Sequence, residues 1–248
     1  MYRGYKIAIV VPAYNEAELI SETLKGMPDI ADSIYVVDDG STDDTRSIVE
    51  GFNGGRFHIM TNGHNTGVGA TIVRGYKKAL SDKMDIMVVM AGDNQMDATY
   101  LPELVEPIID DGVDYTKGSR LSKCQHSRSM SKWRLFGNWI LTVLTKVASG
   151  YWHIRDSQNG YTAITSNTLK QIDLESIYPR YGYCNDILVK LNIAGCKVTD
   201  VPIPARYATE KSKIKYSTYV WKVSSLLLRS TILRLKMKYL GRGISNNK

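Results

Sequence analysis

Residues 6–16 read KIAIVVPAYNE, and the first seven of them decide the fold. Residues 6–12 are a short apolar run, mostly β-branched and stopped by proline, which is the composition of a strand buried on both faces. The pattern recurs: Ser33–Asp38 (SIYVVD), Phe57–Thr61 and residues 85–90 (DIMVVM) are three more such runs. Stretches with helical spacing separate them at 16–26, 42–50 and 68–80, and another follows the fourth at 101–110. Strand then helix, repeated with short loops, predicts a parallel sheet covered on both faces. Ligands of such sheets bind beyond the carboxyl ends of the strands. That rule singles out residues 12–16, 38–41 and 91–97.

Beyond residue 120 the pattern is less regular. Residues 130–148 have helical spacing and carry Trp133, Phe136, Trp139 and Leu144 beside Lys132 and Arg134. Thr162–Thr165 and residues 197–203 read as strands, with a helix over 186–194 between them. Residues 219–240 form a long helical pattern mixing Leu, Val and Ile with Lys222, Arg229, Arg234, Lys236 and Lys238. Basic and apolar residues mixed in this way suit a helix lying on an anionic leaflet; ordinary packing on the sheet or on a partner subunit is the alternative.

A chain of 248 residues with 43% hydrophobic and 23% charged content suits one large domain that needs no disulfide or structural metal. Cys124, Cys184 and Cys196 are odd in number and widely spaced, which argues against a disulfide framework or zinc site and for a reducing, cytosolic setting. The four histidines show no metal-ligand spacing. A net charge of +7 favours an anionic partner: phosphates, nucleic acid or an acidic membrane face. No aromatic–basic recognition motif supports nucleic acid. The opening MYRGYK runs straight into the first strand, so a signal peptide is not expected. No uncharged apolar stretch approaches the roughly 20 residues that span a bilayer. Any membrane contact is therefore expected to be peripheral.

The strand-end loops carry the chemistry. Residues 12–16 and 38–41 could be plain turns with Asn15 and Ser41 as helix caps. Two acids closing a buried strand nevertheless stand where a ligand lies, and a carboxylate there can accept from a base N–H or a ribose hydroxyl. In residues 91–97 (AGDNQMD), a carboxylate suits a divalent ion clamped to a diphosphate. Mg²⁺ takes only one or two protein carboxylates and completes its shell with phosphate and water. Gly67-Val68-Gly69 lacks the third glycine of a dinucleotide fingerprint, since position 72 is Ile72.

Taken in order, VVPAYNE, VVDDGSTDDT, NTGVGATIVRGYKKA, VVMAGDNQMD, KGSR, DSQNGYTAI and PARYATEKSKI resemble glycosyltransferase family two. The similarity is to its dolichol- and polyprenyl-phosphate sugar synthases, and it runs from Ile7 to about Ile214. The resemblance implies the GT-A fold, a Rossmann-like and mostly parallel sheet with helices on both faces. It places a catalytic domain over 1–215 and an amphipathic basic helix and tail over 216–248. Pro12, Tyr14, Glu16, Val37 and Asp39 would line the nucleoside pocket, and Asp93 with Gln95 would hold the diphosphate and Mg²⁺ or Mn²⁺. The family's usual Asp-x-Asp is here Ala91-Gly92-Asp93, so Asp93 is expected to carry the metal with Gln95. Arg120, Arg134 and Asn138 match positions beside the acceptor phosphate, with Arg128 and Lys132 as weaker candidates. Arg206, Ser212 and Lys213 match a late segment that closes over the donor diphosphate. Asp186 aligns with a family acid at a helix start, where capping explains it equally well.

The activity implied is inverting transfer of a hexose or N-acetylhexosamine from a UDP- or GDP-linked donor to a dolichyl or undecaprenyl phosphate. The expected setting is peripheral, on the cytoplasmic face of a membrane. A phosphate monoester has a second pKa of about 6, so as a dianion it attacks without a strong base. A hydroxyl acceptor would need one, with Asp186 or Asp156 as first suspects. Two rivals remain: a soluble family-two transferase acting on a sugar or protein hydroxyl, and a nucleotide-sugar-binding protein without catalysis.

Overall fold

The computed structural model describes residues 1–120, 132–204 and 216–240. Seven strands form one sheet in the order β3-β2-β1-β4-β6-β5-β7. They are β1 (Ile7–Ala13), β2 (Ser33–Asp38), β3 (Phe57–Thr61), β4 (Ile86–Val89), β5 (Tyr115–Ser119), β6 (Thr162–Thr165) and β7 (Val198–Pro202). The first four are mutually parallel, with Val10 opposite Tyr35 on one side and Val89 on the other. β6 runs antiparallel to β4 and β5, and β7 returns parallel to β5. The mostly parallel α/β sheet expected from the sequence is present.

All seven residues of β1 are buried, because alternate side chains enter different cores. Ile7, Ile9 and Val11 join Ile34, Val36 and Val88 on one face, under α1 (Ile20–Lys25) and α4 (Leu101–Asp111). Ala8 and Val10 face the other way, with Tyr35, Met87 and Val89, toward α3 (Val68–Ser81) and α7 (Tyr183–Ile193). Each fully buried Val or Ile contributes about 1.5–3 kcal/mol, so β1 anchors both layers. α3 lies close to the sheet because Gly75 has no side chain; a Cβ there would stand 2.3 Å from Val10 Cγ1. α4 starts with proline in its first turn and stops at Gly112, which takes the left-handed conformation at φ 61°.

Three elements depart from the sequence pattern. α1 begins at Ile20, later than residue 16, because Asn15 turns at φ 54° and bonds to the next loop instead. β5 (YTKGS) carries no apolar run, yet it is wholly buried; Lys117 in its centre donates from Nζ to the Asn159 carbonyl. α6 (Ser166–Gln171) is too short to show periodicity, and Thr165 caps it by accepting from Thr168 N–H. Two more helices, α2 (Thr45–Glu50) and α5 (Lys132–Ser149), follow the expected stretches with shifted ends. α8 (Tyr216–Leu235), continued by a π-helical turn over Lys236–Leu240, packs through Val223 and Leu227 on Leu141 and Ala148 of α5 and Val189 of α7. Among the described residues no helix is long and apolar enough to cross a membrane.

Candidate active site

The loops at the carboxyl ends of β1, β2 and β3 are tied to one another. Asn15 N–H donates to Ser41 Oγ at 3.0 Å, and its Oδ1 accepts from Thr42 N–H at 2.8 Å. Glu16 N–H donates to Thr45 Oγ1 at 2.7 Å. Gly40 sits at φ 72°, where a Cβ would come within 2.8 Å of the His64 backbone, so only glycine lets the β2 and β3 loops close on each other.

At the junction stands Asp39, 3% exposed. Its Oδ1 accepts from Asn62 Nδ2 (2.7 Å), Thr66 N–H (2.9 Å) and Thr66 Oγ1 (2.7 Å); its Oδ2 accepts from Gly67 N–H (2.8 Å). Arg74 holds Asn62 in turn by donating to its Oδ1. Burial alone would raise the Asp39 pKa, but the donors of Asn62, Thr66 and Gly67 outweigh it and hold the carboxyl below its ordinary 3.8. Asp39 is thus an ionised, oriented acceptor. A carboxylate oxygen has about two lone-pair sites, so Oδ2 keeps one for a ligand donor.

The loop after β4 lies beside the β1 loop, with Gly92 N–H donating to the Pro12 carbonyl at 3.2 Å. Gly92 fits against Ile20, whose Cδ1 would be 2.7 Å from an added Cβ, and its carbonyl accepts from Thr23 Oγ1 at 3.1 Å. Asn94 at φ 57° reverses the chain, and Asp93 Oδ1 accepts from Gln95 N–H at 3.1 Å. These loops line a cleft of about 400 Å³ with Pro12, Tyr14, Glu16, Asp39, Ala91 and Asp93. Its size is that of a small-molecule site. Among the described residues no group of three or more His, Cys, Asp or Glu side chains is placed to hold a metal ion. A hard divalent cation at Asp93 would therefore draw most of its ligands from a diphosphate and water. Mg²⁺ accepts that donor set.

Five expected residues (Pro12, Tyr14, Glu16, Asp39 and Asp93) thus meet in one cleft. Val37 and Gln95 do not line it: Val37 is buried within β2, and Gln95 is exposed. Arg120 is turned toward Asp156, donating from Nε at 2.8 Å and from a terminal nitrogen at 3.2 Å. Burial would raise the Asp156 pKa, but the hydrogen bonds and charge of Arg120, with the charge of Lys117, hold it below 3.8. An ion-paired acid of that kind is a weak base. Asp186 is buried at the start of α7; its Oδ2 accepts from Lys190 Nζ at 2.6 Å and from Tyr178 N–H at 2.9 Å, and it does not line the cleft. Arg134 and Asn138 fall in the first turns of α5, where side chains are not described; Arg206, Ser212, Lys213 and Arg128 lie outside the described residues.

The cleft also contains residues to which the sequence reading gives no role. Asn65 and Gly67 come from the β3–α3 turn, Val68 and Thr71 from the first turn of α3, and Arg180 and Tyr181 from the turn before α7. The strand-end rule could have flagged Asn65, since it lies in the loop that follows β3. No local pattern marks Arg180.

The sequence model described as Glycosyl transferase family 2 matches residues 8–172. An uncharacterized protein of Methanocaldococcus jannaschii is 34% identical over 82% of this chain and 82% of its own length. The UDP-N-acetylglucosamine–dolichyl-phosphate N-acetylglucosaminyltransferase of Methanococcus voltae is 28% identical over 81% of this chain and 86% of its own. The undecaprenyl-phosphate mannosyltransferase of Micrococcus luteus is 26% identical over 80% and 82%. Among solved structures, the glucosyl-3-phosphoglycerate synthase of Mycobacterium tuberculosis, in complex with Mn²⁺, UDP and phosphoglyceric acid, superposes with a TM-score of 0.69 at 17% identity. It covers 93% of this chain and 78% of its own.

Proposed function

The chain belongs to glycosyl transferase family 2 and has the GT-A fold, and from that premise we propose that it moves a sugar from a nucleoside-diphosphate donor to a polyprenyl phosphate. One observation carries the proposal. The carboxyl-end loops of four parallel strands converge on a cleft lined by both an oriented, ionised Asp39 and Asp93. A ligand bridging them presents hydrogen-bond donors at one end and a metal-binding anion at the other, as a nucleoside diphosphate does. Dolichyl- and undecaprenyl-phosphate transferases among the relatives favour a lipid phosphate as acceptor.

In this reading Asp39 accepts from the base or ribose while Tyr14 and Pro12 cover the nucleoside. Asp93 would hold Mg²⁺ or Mn²⁺, which when bound would supply positive charge to the leaving group. The acceptor's phosphate oxygen attacks the anomeric carbon from the face opposite the diphosphate. A new C–O bond forms as the old one breaks, and the configuration inverts. The dianionic acceptor brings its own charge, so the protein's contribution is chiefly positioning. Arg134, Asn138 and Arg120 would receive the acceptor phosphate, Arg120 by exchanging Asp156 for it. Arg206, Ser212 and Lys213 would close over the diphosphate.

The tail helix supports a membrane setting. On α8, Trp221 is 80% exposed and Leu228 66%, with Ile232 and Leu235 continuing one stripe at helical spacing. Lys222, Arg229, Lys236 and Lys238 flank it, all exposed. Apolar and cationic groups on one helix suit an anionic leaflet on the cytoplasmic side. The test is a panel of UDP- and GDP-sugars given to the protein with polyprenyl phosphate and Mg²⁺ or Mn²⁺, followed by solvent extraction. Acid-labile label in the lipid phase is expected from one donor; transfer only to a simple glycoside would replace this reading with that of a soluble transferase.

A further inference from the structure

We infer that the cleft selects uridine over guanosine donors, with Asp39 Oδ2 taking the single imide N–H of uracil and Arg180 donating to a carbonyl beside it; this rests on the donor reading of the cleft. The first half follows from a count of acceptor sites. Asp39 Oδ1 already accepts three hydrogen bonds, from Asn62 Nδ2, Thr66 N–H and Thr66 Oγ1, and a carboxylate oxygen has about two lone-pair sites. That oxygen is full. Oδ2 accepts only from Gly67 N–H, so one site remains for a ligand. Uracil presents one N–H between two carbonyls and needs a single acceptor there. Guanine presents adjoining donors on N1 and its 2-amino group, which together call for both oxygens of a carboxylate. With Oδ1 occupied, one guanine donor would be left unpaired, which weakens binding about tenfold or more.

Arg180 supplies the donor, and its place in the cleft is set by Gly67. The N–H of that glycine bonds to Asp39 Oδ2, while a Cβ on it would stand 2.8 Å from Arg180 Cγ. Arg180 and the vacant acceptor site therefore share one end of the cleft. Arg180 lines the cleft, and among the described residues its side chain makes no hydrogen bond or ion pair, with Asp39 or any other group. A guanidinium carries only donors, so it meets a carbonyl and not a second N–H. An acceptor and a donor at one end match a ligand edge on which N–H adjoins C=O. The backbone holds the arginine there. Pro179 carbonyl accepts from Ala70 N–H at 3.1 Å, and Arg180 carbonyl accepts from Tyr183 N–H at 3.0 Å. Asp186 secures the preceding residue by accepting from Tyr178 N–H at 2.9 Å.

The experiment is calorimetric titration of UDP, GDP and N3-methyl-UDP, all with Mg²⁺, into the wild-type chain, Arg180→Ala and Arg180→Lys. The wild type is expected to bind UDP about tenfold or more tighter than GDP. N3-methyl-UDP, which keeps the carbonyls and loses the N–H, should bind about tenfold or more weaker than UDP, because the site's acceptor then faces a methyl group. Arg180→Ala should weaken UDP about tenfold and leave GDP unchanged, since a guanine kept off Oδ2 does not reach that contact; Arg180→Lys should keep part of the UDP affinity. GDP bound as tightly as UDP or tighter would overturn the inference and leave the donor reading standing. Equal affinity for UDP and its N3-methyl derivative would overturn it as well. So would an Arg180→Ala variant that weakens UDP and GDP alike, the mark of a merely structural role, or that weakens neither. If the wild type binds none of the three nucleotides, the donor reading itself fails and this inference falls with it.

Discussion

Replacing Asp39 separates its architectural work from its binding work. Four donors converge on this carboxylate: Asn62 Nδ2, Thr66 N–H, Thr66 Oγ1 and Gly67 N–H. In Asp39→Asn the remaining oxygen still accepts from the first three, but the new amide faces Gly67 N–H, donor against donor. One charge-assisted bond is lost and a backbone donor is stranded, which costs about 2 kcal/mol. Asp39→Ala strands all four, and allowing for relaxation and water entry the loss is about 4 kcal/mol, a large share of a typical 5–15 kcal/mol stability. Denaturant unfolding at pH 7 measures both. The pH dependence supplies a second readout. The folded carboxyl titrates below its ordinary 3.8, so its stabilisation is fully present above the unfolded pKa and is lost as pH falls through the folded one. The gap between wild type and Asp39→Asn should therefore narrow as pH drops from 5 to 2. Two variants within 0.5 kcal/mol of wild type, or a gap that widens in acid, would refute the account of Asp39 as an ionised hub.

Gly69→Ala should cost about 2–4 kcal/mol by denaturant unfolding, despite alanine's better helix propensity, because its Cβ would press on the Tyr178 carbonyl. Asp186→Asn should lose about 2–3 kcal/mol of stability by the same assay, since the part-buried Lys190 is left without its charge partner. The shape of its kcat–pH profile with a phosphate acceptor should stay that of wild type; loss of a basic limb would make Asp186 the catalytic base instead. Asp93→Ala should lower turnover about 10²-fold or more and remove the effect of Mg²⁺ on nucleoside-diphosphate affinity, with little change in melting temperature.

The parallel half of the sheet is legible in the sequence because burial on both faces forces unbroken β-branched runs in β1, β2 and β4, each cut by proline or a turn. The site follows from it, since Tyr14, Asp39 and Asp93 each stand just after such a run. β5 is illegible for a physical reason: Lys117 is buried by donating to the Asn159 carbonyl, and Asn159 Nδ2 donates in turn to the Gly118 carbonyl, partners contributed from distant sequence. The antiparallel entry of β6 between β4 and β5 is likewise a tertiary choice that four residues, TAIT, cannot announce. Arg180 escapes notice because it reaches the cleft only when residues 178–180 dock on the glycines of the α3 turn. Asp186 reads equally as a base or a helix-start acid until Tyr178 N–H and Lys190 are seen to occupy it.

Crystals of the chain grown with a nucleoside diphosphate and Mn²⁺, with data collected at the manganese absorption edge, test the cleft most directly. The account requires one anomalous peak within coordination distance of Asp93, with nucleoside density running from it toward Asp39 Oδ2. A nucleotide bound elsewhere on the sheet, or manganese held by residues away from Asp93, would contradict it.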